Sequence, residues 1–172
     1  MAAPTSDPAG KTAWIDKFAE LSELTVEERK ILAAQGTIVS IPAGNRIFEP
    51  GRAPEHFLLL IDGSVRVQQL SESGREIVMY RVSAGESCML TTACLLGHHD
   101  YSAEAVAETD LKAVALPRAT FDELMARSAT FRRFVFAAFT ARITNLFHLV
   151  EEIAFARMDI RLAHKLVELL HG

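Results

Sequence analysis

Residues 42–67 read PAGNRIFEPGRAPEHFLLLIDGSVRV. Turn formers cluster at PAGN, EPGRAP and DG, and the short runs HFLLLI and SVRV stand between them. Such runs, rich in apolar β-formers and bounded by Gly, Pro and Asn, predict strands rather than helices. Gly51 and Gly63 fall in tight turns that call for a positive φ. Asp62-Gly63 predicts a hairpin between its two flanking strands.

The same pattern continues outward. TIVSI lies upstream, and EIVMYRV, SAEAVA and LKAVALP lie downstream, each set off by turn residues. Short strands at regular spacing predict a β-sandwich or small barrel. Helical spacing takes over on both sides. Trp14, Ile15, Phe18 and Leu21 share a helical face, and Thr25 with Glu28 forms a capping box for VEERKILAAQ, ended by Gly36. After Pro117, RATFDELMARS predicts a short amphipathic helix, and a long one follows from about Ala129 to Ala156. Along it Phe136, Phe139, Ile143, Leu146, Val150 and Ile153 step by three and four in turn, the a/d seam of a parallel helix pair. A second apolar set, Phe131, Phe134, Val135, Ala138 and Phe147, is left to pack on the β domain. Asp159 predicts the N-cap of a last helix, IRLAHKLVELLH.

The expected fold is α+β: an antiparallel β-roll of the double-stranded jelly-roll type, flanked by N-terminal helices and a long C-terminal dimerisation helix. The expected organisation is an arm over 1–11, a sensor domain over 12–128, the dimerisation helix over 129–157 and the start of a further domain over 158–172.

Composition narrows the function. The 172 residues are 49% hydrophobic with a formal net charge of −4. That balance argues against nucleic-acid binding by this chain alone, because neutralising phosphates needs a basic face. Two cysteines are too few for a disulfide framework, so a reducing, cytoplasmic setting is expected. MAAPTSDPAGK lacks the apolar run of a signal peptide, and no stretch of about 18 uncharged apolar residues predicts a membrane span.

The order Gly44, Ile47-Phe48, Gly51, an apolar run, then Gly63 before Val65 and Val67, together with Ala84-Gly85-Glu86 and the long seam helix, resembles the Crp/Fnr family of bacterial transcription regulators. The resemblance covers about residues 15–172. It implies a cyclic-nucleotide-binding-type β-roll, a homodimer through residues 129–157, a ligand cassette over 85–105, and DNA binding by a winged helix-turn-helix that would follow Gly172. FARMDIRLAHKLVELL is similar to the family's hinge and the first helix of its DNA-binding domain. Within the cassette it implies a pocket of Gly85, Glu86, Ser87, Tyr101 and Ser102 for a small effector.

The cassette chemistry departs from two family branches. In the cAMP-binding branch an Arg-Ser step pairs with the cyclic phosphate. Tyr101-Ser102 occupies that step here, and no Arg or Lys stands between Arg81 and Lys112. The iron–sulfur branch needs an N-terminal cysteine cluster, and no cysteine precedes Cys88. Cys88 and Cys94 are expected to act as a redox switch; the alternatives are a regulator that binds a small cyclic-nucleotide-like ligand or haem in this pocket without thiol chemistry, and a stand-alone dimeric interaction module. Six residues apart, the two cysteines lie about 120° apart on one helix or about 20 Å apart on one strand, so bridging them needs a bend, expected at Thr91-Thr92. Thr92 would then cap a short helix ACLLG and place Cys94 in its first turn, where the helix dipole lowers a thiol pKa. The other readings of this pair are buried apolar filler, zinc bound with His98 and His99, and haem with a Cys or His axial ligand. No cofactor is assigned. A cupin-type enzyme would need an His-x-His, which the chain lacks, so no catalytic activity is expected.

Overall fold

The computed structural model describes residues 12–70, 76–141, 143–148 and 150–151. The expected arm, Ile153, Asp159 and the segment 158–172 lie outside the described residues. The chain divides into two compact units, 1–138 and 139–172. Among the described residues no helix is long and apolar enough to cross a membrane.

The first unit opens with two short 3-10 turns, Ile15–Lys17 and Ala19–Glu23, where one helix was expected. Phe18 between them is extended, at φ −109° and ψ 100°. Its ring lies edge-on to Trp14 at 6.3 Å and to Phe134 at 6.1 Å, so core packing overrides the local helical spacing. Helix α1 spans Val26–Gln35 and carries the predicted capping box. Thr25 Oγ1 accepts from the Glu28 N–H, and Glu28 Oε2 accepts from the Thr25 N–H. Among the described residues seven strands follow: β1 Thr37–Ile41, β2 Arg46–Phe48, β3 His56–Asp62, β4 Ser64–Leu70, β5 Glu76–Ser83, β6 Glu104–Ala107 and β7 Leu111–Pro117. Helix α2, Met89–Gly97, lies between β5 and β6, and α3, Arg118–Arg127, follows β7. Residues 129–138 are helical as well.

The strands form two antiparallel sheets, ordered β1-β7-β3 and β2-β6-β4-β5. This is the expected β-roll in an α+β arrangement. The Asp62-Gly63 hairpin is corrected, because β3 and β4 belong to different sheets. Gly63, at φ 91°, is a corner where the chain leaves one sheet for the other. A Cβ there would stand 2.6 Å from the Asp110 carbonyl oxygen, so only glycine fits.

Two cores result. β3 is buried on both faces, which is why HFLLLI reads as a continuous apolar run. Phe57, Leu59 and Ile61 face an outer core with the N-terminal turns, α1, α3, Phe131, Phe134 and Val135. Leu60 faces the roll interior with Val65, Val67, Val82 and the small residues Ala103, Ala105, Ala107 and Ala113. Those alanines leave room for the bulky groups that the cassette inserts.

In the second unit, residues 139–141, 143–148 and 150–151 are helical. Ile143, Leu146, Phe147 and Val150 are exposed. Phe147, expected among the domain-packing residues, is 65% exposed.

Candidate functional site

The cassette begins at a turn stitched to β3. Gly85, at φ 86°, donates its N–H to the Leu60 carbonyl at 2.8 Å, and the Leu60 N–H returns to the Glu86 carbonyl at 3.0 Å. Ser87 is buried and bridges Leu59. The Glu86 carboxylate accepts from the Ser83 N–H at 2.9 Å, which closes its own turn. Ser102 is exposed. Of the five pocket residues expected from the sequence, Tyr101 alone lines an open groove of about 980 Å³ on the roll.

Helix α2 starts at Met89 with Cys88 as its N-cap, four residues before the expected start. Thr92 is not a cap. It lies inside the helix, and its hydroxyl donates back to the Cys88 carbonyl at 3.0 Å. The bend expected at Thr91-Thr92 is therefore absent. Cys94 sits past the middle of α2, and its carbonyl accepts from the His98 N–H that caps the helix end. The first-turn placement of Cys94 is corrected with it. Burial pushes the Cys94 thiol up from its ordinary value, and the neighbouring Cys88 and Asp100 act in the same direction. The thiol is thus held protonated near neutrality.

Both cysteines are free and buried. Cys88 Sγ lies 3.6 Å from the Tyr80 hydroxyl, which also accepts from the Leu90 N–H at 2.9 Å. Cys94 Sγ donates to the Asp100 carbonyl at 3.5 Å. Six residues of helix rise about 9 Å, beyond the roughly 7 Å that a disulfide spans between Cα atoms. Direct pairing of Cys88 with Cys94 therefore requires α2 to unwind.

Tyr101 plugs the interior. Its ring stacks on Phe48 at 3.9 Å with 4° between planes, and its hydroxyl meets Thr91 Oγ1 at 3.2 Å. Its backbone bonds to Arg52 and Gly51 at 2.9 Å each. Burial raises the phenol pKa. An interior void of about 20 Å³ has apolar walls, among them Leu60, Val82 and Cys88. A haem does not fit it without opening the roll. The four zinc-type donors are not brought together: Cys88 and Cys94 face the interior, whereas His98 and His99 are exposed. His98, in the left-handed region at φ 53°, contacts the Arg118 guanidinium through Nδ1. Among the described residues no Lys or Arg is buried and none lines this void, so nothing there would neutralise a cyclic phosphate.

The open groove of about 980 Å³ on the roll is lined among others by Arg46, Arg52, Arg66, Gln68, Glu104 and Tyr101. The first five belong to no recognisable site motif in the sequence. The alternation in SVRVQQL was the available signal, since it sets Arg66 and Gln68 on one strand face. Of the expected seam, Phe136, Ile143, Leu146 and Val150 are exposed, and Phe139 is half-buried.

Residues 38–128 match the family model of the cyclic nucleotide-binding domain. Solved structures share the fold. A protein from Eubacterium rectale assigned to the Crp/Fnr family of transcriptional regulators is 22% identical, with a TM-score of 0.70 over 80% of this chain and 64% of that one. The Catabolite Activator Protein of Thermus thermophilus is 24% identical, with a TM-score of 0.65 over 79% and 63%. The sensor domain of the transcriptional regulator DNR from Pseudomonas aeruginosa is 16% identical, with a TM-score of 0.67 over 81% and 93%. The chain thus spans a little under two thirds of the first two proteins. No curated protein matches the chain.

Proposed function

Because the chain belongs to the cyclic nucleotide-binding domain family, we propose that it is the sensor and dimerisation part of a Crp/Fnr-type transcription regulator, non-catalytic, with its signal read by the cassette 85–105. The observation that carries this is the seating of α2. Cys88, Cys94 and Tyr101 lie in the roll interior, and the hydroxyls of Tyr80 and Tyr101 bond to the start of α2. A group added to Cys88 has no room in a void of about 20 Å³, and Cys94 is itself fully buried, so modification drives α2 outward. Cys88 and Cys94 are the switch in this reading, and they pair only after α2 unwinds.

The exposed Phe136, Ile143, Leu146 and Val150 support a homodimer through residues 129–157. The signal then shifts the balance between two dimer states, and DNA is contacted by a domain beyond this sensor. A cyclic nucleotide is not the proposed effector, since Tyr101 fills the place of the phosphate-pairing cation.

Two measurements test the reading. Sedimentation of the chain should give a dimer, and Ile143→Asp with Leu146→Asp should give a monomer. Intact mass after polysulfide or mild oxidant should show sulfur added, or two hydrogens lost, within one chain. A chain that stays monomeric and keeps its mass would sink both parts.

A further inference from the structure

Arg66 and Gln68 stand two residues apart on β4, so their side chains share a face, and both line the open groove of about 980 Å³. Each carries a buried polar atom without a hydrogen-bond partner: Arg66 Nε and Gln68 Oε1. Gln68 is only 1% exposed. Its amide orientation is determined by its neighbour. Nε2 donates to Glu104 Oε1 at 2.8 Å, and a flip would set the amide carbonyl against that carboxylate. The carbonyl is therefore left without a donor.

The other groove arginines are engaged. Glu49 accepts from Arg46 at 3.0 Å and from Arg52 at 3.2 Å, and Arg46 also meets Glu104 at 3.1 Å. Arg66 is held loosely, with Glu76 at 3.7 Å, and its side chain is 30% exposed. Its Nε–Nη edge is the fork that binds a carboxylate in bidentate fashion. Leaving a donor and an acceptor both unpaired is unfavourable, and one guest can supply both partners.

We propose that this groove binds a small zwitterion of the α-amino-acid type. Its carboxylate takes the Nε–Nη edge of Arg66, which turns toward the groove and releases Glu76. Its ammonium is held by Gln68 Oε1 and the released Glu76 carboxylate. The groove lining sets Arg46, Arg52 and Arg66 against Glu49, Glu55, Glu76 and Glu104, a balance that suits a guest without net charge better than a polyanion. Phe48, Leu58 and Val106 line the same groove and offer apolar contact to a side chain. Tyr101 lines it too, and its hydroxyl reaches Thr91 in α2. Tyr101 thus connects the groove to the cassette. The site stands whether or not the thiols signal.

The test is amide NMR of the full chain, titrated with each proteinogenic amino acid at millimolar concentration, beside acetate and cyclic AMP. At least one amino acid should saturably shift the amides of Arg66, Gln68 and Glu104. Arg66→Lys, which keeps the charge and loses the fork, should weaken that binding about tenfold or more. Arg66→Gln serves in its place if the lysine variant unfolds. Cys88→Ser with Cys94→Ser should bind as the unmodified chain does, which separates this site from the thiol switch. The proposal is overturned if no amino acid shifts these amides, if acetate or cyclic AMP shifts them as strongly, or if the Arg66 variants bind undiminished.

Discussion

The outer core and the roll interior lie on opposite faces of β3 and are built differently. The outer core is closed by large rings: Phe131 packs against Phe57, Phe121 and Phe134 at centroid distances of 6.0, 5.9 and 6.2 Å. The interior is walled by four alanines and filled by the Phe48–Tyr101 stack, two thiols and the tyrosine hydroxyls that meet α2. One side of the strand carries stability through packed area. The other keeps small residues where α2 seats against the roll.

Phe131→Ala tests the first half of this contrast. A large cavity among three rings should cost about 3–5 kcal/mol, read as a large fall in the urea midpoint. A loss under about 1 kcal/mol would show that the ring cluster is not the main brace. Ala105→Leu tests the second half. Ala105 is fully buried at 0% exposure, and overpacking there should cost about 1–3 kcal/mol. The informative readout is thiol labelling: Cys88 and Cys94 should react faster because α2 is displaced. Destabilisation with unchanged labelling would mean that α2 is not the part that yields. The smallest effect is alkaline. The Cys94 thiol pKa is raised in the fold, so its stabilising contribution is complete below the free-thiol value of about 8.5 and is lost as pH rises through the folded value. Cys94→Ala should therefore lose less stability than the unmodified chain between neutrality and about pH 10, where tyrosine ionisation begins to add. Equal slopes would contradict the burial of that thiol.

Features set by near neighbours were legible in the sequence. The Thr25/Glu28 capping box needs only four residues, and it forms as expected. Gly51 and Gly63 adopt the positive φ that their turns implied. Features that depend on a distant partner were not. Asp62-Gly63 has the residues of a hairpin, yet β3 pairs with β7 and β4 pairs with β5 and β6, so the same two residues turn a corner. Thr92 has the residue type of a cap, but its hydroxyl turned back to Cys88 once the helix began at Met89. In the candidate site, Cys88, Cys94 and Tyr101 lie buried in the roll interior, and burial, a property of the assembled roll, sets the thiol environment in place of the expected helix dipole.

The sequence by itself determined the strand-and-turn order, the α1 cap, the apolar seam along the helix after 129 and the lack of a cation within the cassette. Each follows from residue type at short range. The tertiary structure decided which sheet each strand joins, where α2 begins, that both thiols face inward, and that Arg66 and Gln68 are left with unpaired atoms on one groove. Those outcomes turn on which distant groups meet and on how much water is excluded when they do, and neither is written in local spacing.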